Sequence, residues 1–127
     1  VSEDDKKSII KIIESVSFSD GKETESLEAE IVQDADRLDA LGAIGIARCF
    51  SYGAAHGRNI YLEEDSDSQK IQSGSSGIAH FHQKLLLLEN MMKTPYGKEE
   101  AHKRTLFMKE YLKHFSEETG CDVISYI

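Results

Sequence analysis

The chain has 127 residues, with 23 acidic against 15 basic side chains and a formal charge of −8. That length bounds it at one domain, and that charge argues against a nucleic-acid backbone as the main partner, because such binding runs on Lys and Arg neutralising phosphates. Two cysteines far apart, Cys49 and Cys121, make a disulfide framework unlikely and fit a reducing cytosol. No apolar run approaches the roughly 18 residues a membrane helix needs. The opening Ser2-Glu3-Asp4-Asp5 is acidic and has no signal-peptide pattern. A soluble cytoplasmic protein is expected.

A single proline and the lack of sustained alternation predict an all-α chain of about five helices. Ser2-x-x-Asp5 resembles a capping box and starts the first helix. It runs to about Val16, with Ile9, Ile12, Ile13 and Val16 on one face. Asp20-Gly21 ends the loop that follows. The second helix is expected over about Leu27–Leu41 and the third over about Ala43–Tyr52. Gly53 to Gly77 reads as mostly irregular, and the polar stretch at about 62–77 as a mobile loop. A fourth helix is expected over about Gly77–Lys93. Thr94-Pro95 then supplies an N-cap and a first helical residue. The fifth helix runs to about Glu118, stopped by Gly120. The tail Cys121–Ile127 reads as a short extended piece. No internal repeat is present.

The densest stretch is Ile31–Phe50, IVQDADRLDALGAIGIARCF. Asp34 and Asp36 are two apart and face different ways on a helix, whereas Asp36 and Asp39 are three apart and share a face. Asp34 falls in the apolar row Leu27, Ile31, Leu38, Leu41, which reads as a buried, hydrogen-bonded carboxylate. From composition alone, a solvated acidic face is the default for the other two. Arg37 either contacts a substrate phosphate or pairs with Asp34, Asp39 or another acid. Gly42-Ala43-Ile44-Gly45 lacks the spacing and lysine of a phosphate loop, so its small residues point to close helix packing.

Further on, His80 and Lys84 are neighbours on a helix, beside the apolar row Phe81, Leu85, Leu88, Met92. They either frame a phosphate pocket or serve locally, Lys84 laying its stem along apolar surface. His82 faces elsewhere and reads as surface, as do His102 and His114. Met91 and Met92 read as core filler. In the row Arg104, Met108, Tyr111, Phe115, Arg104 is the charged member. Its fork suits phosphate oxygens at a pocket edge, or it pairs with a buried acid. Ser17 and Ser19 have no context for a nucleophile, and no catalytic residue is identified.

The string Ala35-Asp36-Arg37-Leu38 resembles the last motif of the HD-domain metal-dependent phosphohydrolases. Ser17-Phe18-Ser19, the DADRLDALGAIGIAR run and His80-Phe81…Lys84-Leu85 resemble one bacterial-type branch, so the likeness extends from about Ile9 to Glu118. The resemblance implies that Asp36 is the final ligand of a divalent metal, Mn²⁺ or Mg²⁺ by its hard oxygen donor, with Fe, Co or Ni also compatible. Asp34 or Asp39 would then orient a ligand by hydrogen bonding, and Arg37, His80, Lys84 and Arg104 would contact substrate. The branch implies nucleotide hydrolysis, a nucleoside triphosphate giving monophosphate and pyrophosphate, with the metal activating water and polarising a phosphoryl oxygen.

The His and His-Asp motifs that supply the family's other ligands are missing. No histidine precedes His56, and no His-Asp pair occurs. Residues 1–127 are therefore expected as part of an HD-type domain, its second half. One face of the core should be left uncovered, to be covered by a partner or a second copy. The alternative is a non-catalytic helical interaction module derived from such an enzyme.

Overall fold

The computed structural model describes residues 24–127 apart from Tyr126, together with Glu3, Lys6, Lys7, Ile9 and Ile10, which are helical. The proposed capping box, Val16, the Ser17-Phe18-Ser19 string and Asp20-Gly21 lie outside the described residues. From Thr24 onward the described residues form four α-helices and no β-strand: α1 Thr24–Leu38, α2 Gly42–Ala55, α3 Gly77–Gln83 and α4 Pro95–Thr119. Short 3₁₀ turns occupy Glu63–Ser66, Lys70–Ser73 and Leu85–Met91. The all-α expectation holds. No described helix is long and apolar enough to cross a membrane.

The long helix α4 is the spine, packing against α1, α2 and the Leu85–Met91 turn. Its ends follow the local chemistry. Thr94 caps the start by accepting from the Gly97 N–H at 3.0 Å, Pro95 opens the helix, and Gly120 closes it in the left-handed conformation at φ 74°. Ala101, Thr105, Met108 and Leu112 form its buried stripe. Ile31, Leu38 and Leu41 are buried along the row expected for the second helix. Between α1 and α2 the small residues permit close approach. A Cβ on Gly45 would overlap the Ala40 carbonyl oxygen, and Gly42, at φ 73°, lies under the Arg104 side chain.

Five sequence expectations need correction. The fourth helix does not continue to Lys93. It stops at Gln83, Lys84 leaves helical geometry (φ −138°, ψ −57°), and the chain rewinds as a 3₁₀ turn. Because 3₁₀ winding eclipses residues three apart, Leu85 and Leu88 enter the core together. Met92 is buried beside them, while Met91 is exposed. The stretch 62–77, read as irregular, carries two 3₁₀ turns and buries Asp65, Ile71 and Ser76. The Gln83 amide ties it to α3 through the carbonyls of Ile71 (2.9 Å) and Gly74 (2.7 Å). His82 is buried rather than on the surface, hydrogen-bonded to the Val123 backbone and near the Asp65 charge. The tail is not extended: Asp122 Oδ1 accepts from the N–H groups of Ile124 and Ser125, a turn that seats Val123 in the core.

Two buried aspartates set the helix starts. Asp65 Oδ2 accepts from the Ser76 hydroxyl at 2.6 Å, and that hydroxyl caps α3 by accepting from the Ala79 N–H at 3.0 Å. Asp34 does the same for α4, where its Oδ2 accepts from the Thr94 hydroxyl at 2.7 Å. In both, the carboxylate orients a hydroxyl so that its lone pair faces the helix N–H.

Candidate functional site

Within α1, two aspartates with nearly the same sequence context reach opposite environments. Asp34 is fully buried, and besides the Thr94 hydroxyl it accepts from the backbone N–H of Thr94 (2.7 Å) and of Lys93 (2.9 Å). These bonds join residues 59 and 60 positions apart, and clamp α1 to the start of α4. Asp36, one-half turn on, is exposed. Among the described residues it makes no hydrogen bond or ion pair. Asp39, in the turn after α1, is ion-paired with Arg48. Arg37 places Nη1 4.0 Å from Asp34 Oδ1, and that nitrogen is buried with no hydrogen-bond partner among the described residues.

Among the described residues no cluster of three or more His, Cys, Asp or Glu side chains is arranged to hold a metal. The donor chemistry of Asp36 fits one coordination position for a hard divalent cation.

A cavity of about 460 Å³ opens between α2 and α3. From α2 it receives Arg48, Cys49 and Tyr52, which the spacing i, i+1, i+4 keeps on one side of the helix. Arg58 enters from the loop beyond α2, its guanidinium carbon 5.7 Å from the Tyr52 ring centroid, within range of a cation–π contact. His80 and Lys84 line the opposite wall, above Leu85. Burial pushes the His80 imidazole below its usual pKa, and the charges of Arg58 and Lys84 push it the same way. Burial also raises the Cys49 thiol, with Arg58 opposing. This wall is therefore positive, in a chain that is acidic as a whole.

Of the residues singled out from sequence, the structure brings His80 and Lys84 into this cavity. Arg37 and Arg104 are not among its walls. Arg104 donates from Nη1 to the Leu38 carbonyl at 2.6 Å and from Nε to Glu100 at 3.0 Å, gripping the last turn of α1. Arg48, Tyr52 and Arg58 were missed. Arg48 and Tyr52 carry a weak signal, a cationic and an aromatic residue four apart on α2. Arg58 carries none, because only tertiary packing brings it to α3. A larger open depression over Glu63, Glu64, Asp67 and Lys70 holds none of the predicted site residues.

This all-α arrangement is similar to that of the HD-superfamily hydrolases. One from Bacillus thuringiensis superposes with a TM-score of 0.60 at 36% identity, covering 87% of this chain and 61% of that one. In sequence, the chain is 40% identical over 114 residues to the uncharacterized protein YpgQ of Bacillus subtilis (strain 168), covering 87% of this chain and 51% of that protein. The crystal structure of YpgQ matches with a TM-score of 0.64 at 38% identity, over 94% of this chain and 57% of that one. YpgQ in complex with ADP matches with a TM-score of 0.63 at 36% identity, with the same coverage. The chain thus spans about half the length of the curated relative it matches. No protein-family model matches it.

Proposed function

We propose that this chain is the C-terminal part of a metal-dependent phosphohydrolase of the HD type that acts on nucleotides, cutting a triphosphate to monophosphate and pyrophosphate. The observation that carries this reading is Asp36. Of the three aspartates in the DADRLD string it alone is exposed and without a partner among the described residues, and the chain is similar to an HD-superfamily hydrolase and to a protein crystallised with ADP.

Asp36 would hold one coordination position of a divalent metal, Mn²⁺ or Mg²⁺ by its oxygen donor. When bound, such an ion supplies an activated water and polarises a phosphoryl oxygen. Asp34 fixes the helix on which Asp36 stands, and Asp39 steadies the turn that follows. Lys84 and His80 face the phosphates. For Arg37 and Arg104 the geometry favours the structural of their two readings, because both are engaged with α1 itself.

The test is nucleotide hydrolysis with Mn²⁺ by this chain joined to the segment carrying the His and His-Asp ligands. Turnover should require the metal and be lost in Asp36→Ala. Unchanged turnover in that variant would sink the reading and leave a helical interaction module in its place.

A further inference from the structure

The ring of His82 sits where three segments meet. It projects from α3, it is hydrogen-bonded to the backbone of Val123 in the C-terminal tail, and it lies in the field of Asp65 from the turn Glu63–Ser66. The residue is buried. Oδ2 of Asp65 is already shared between the Ser76 hydroxyl (2.6 Å) and the Leu62 N–H (2.8 Å). The neighbouring Cys121 adds no charge, because burial and the charges of Asp65, Asp122 and Glu63 all push its thiol up. The other histidine near the end of α3, His80, belongs to the cavity wall.

The tail is held by few ties. It leaves α4 at Gly120, in the left-handed conformation, with open space around that residue. Among the described residues its backbone–backbone hydrogen bonds stay local, from the Gly120 N–H to the Ser116 carbonyl and from the Ile127 N–H to the Ile124 carbonyl. The Val123 N–H goes to the Ser116 hydroxyl at 3.0 Å, also local. Three contacts reach another element. The Val123 side chain is fully buried in the core, with Cys121 and Ile124 packed against that core in part. The Val123 backbone is bonded to His82. The Cys121 thiol makes a long contact of 4.0 Å to the Leu62 carbonyl. Of these ties the imidazole is the one that titrates near neutral pH.

We propose that the tail Cys121–Ile127 is a strap released by acid: it is docked while His82 is neutral and leaves when that ring takes up a proton. A charged imidazole enclosed between α3 and the tail is costly without water. Asp65 and the Val123 carbonyl offset that cost in part, but burial is the largest influence and holds the ring below its usual value. The undocked ring titrates at about 6.5 and the docked ring lower. Docking is therefore fully favoured above that value and is lost as pH falls through the docked one. The tail is the element that gives way, because it leaves without unwinding a helix. Its departure uncovers one side of α3. That helix has seven residues, too few to stand without tertiary support, and it carries His80 into the cavity. Acid release thus loosens a cavity wall from behind. The device needs neither metal nor nucleotide, so it stands apart from the hydrolase reading.

The experiment is a pH titration of the chain by NMR from pH 7.5 to 5, following the His82 ring, the Val123 methyls and Met108 in the middle of α4. The Val123 methyls should move from buried to random-coil shifts with a midpoint below about 6.5 that coincides with that of His82, while Met108 keeps its native shift. His82→Gln retains a neutral donor for the Val123 carbonyl and should leave the tail docked at pH 5, with the Val123 amide tenfold or more better protected from exchange than in the wild-type chain. Val123 at random-coil shifts already at pH 7.5, Val123 unmoved at pH 5, a His82 midpoint at or above about 6.5, or Val123 and Met108 moving together would each overturn the proposal. So would release of the tail at the same pH in His82→Gln. Where that variant fails to fold, the coincidence of the His82 and Val123 midpoints in the wild-type chain decides, and separate midpoints would overturn the strap.

Discussion

Replacing Asp34 and Asp36 in turn should separate a residue that holds the fold from one that faces solvent. Asp34→Ala removes the acceptor of three donors, the N–H groups of Lys93 and Thr94 and the Thr94 hydroxyl. An unsatisfied buried donor costs about 1–3 kcal/mol. The Lys93 N–H is only partly buried and recovers water, and the hydroxyl can rotate, so Thr94 N–H carries most of the penalty. Loss of the oriented cap on α4 adds about 1 kcal/mol, and Arg37 loses its carboxylate. The sum is about 3–5 kcal/mol, the range of a broken buried charge network. With a urea slope of about 1–3 kcal/mol/M for small proteins, the midpoint should fall by about 2 M. Asp36→Ala, on an exposed carboxylate without partners among the described residues, should stay within about 0.5 kcal/mol. Urea unfolding of both variants, followed by circular dichroism, makes the comparison. Equal midpoint shifts in the two, or a change below about 1 kcal/mol for Asp34→Ala, would refute the clamp between α1 and α4.

Gly45→Ala should lower thermal stability although alanine is the better helix former by about 1 kcal/mol. The new Cβ would overlap the Ala40 carbonyl, which is backbone and cannot turn aside, so a net loss of about 1–3 kcal/mol is expected. An unchanged Tm would show that the α1–α2 turn relaxes freely. Stability should also fall as pH drops below about 6.5. Burial lowers the pKa of His82 and of His80, so the unfolded chain takes up protons that the folded one refuses, and stability rises with pH through that window. Urea midpoints at pH 7.5, 6 and 5 should show the slope, and His82→Gln should flatten it; a slope untouched by that substitution would place the titration elsewhere.

Most of the helical frame was legible because its signals are local. The row Leu27, Ile31, Leu38, Leu41 marks one helix face, and Thr94-Pro95 with Gly120 brackets another. The break at Lys84 was not legible, since Phe81, Leu85, Leu88 and Met92 sit at intervals that suit an α-helix and a 3₁₀ turn alike. Composition misled over 62–77, because polarity usually marks solvent. Here Asp65 is buried, and the serine that satisfies it lies 11 residues away, a pairing with no sequence pattern. For His82 the same limit applies: which side of a seven-residue helix is covered depends on Val123, from the far end of the chain.

The candidate site divides in the same way, and the division has a physical cause. The apolar row alone marked Asp34 as a buried carboxylate, whereas Asp36 was singled out by the resemblance, and His80 with Lys84 by their spacing together with it. Arg48 and Arg58 come from another element and acquire meaning only when α2 meets α3. What brings them together is the pair of buried aspartates. Asp65 fixes the Ser76 cap, so α3 begins at a set position and His80 reaches the cavity one turn later. Asp34 and Arg104 fix the two ends of the α1 contact with α4, so the turn carrying Asp39 arrives opposite Arg48. Two carboxylates, Asp34 and Asp65, are thus drawn inward to hold helix starts, where backbone and hydroxyl donors meet them. The clamp that buries Asp34 leaves Asp36, two residues on, exposed on the same helix.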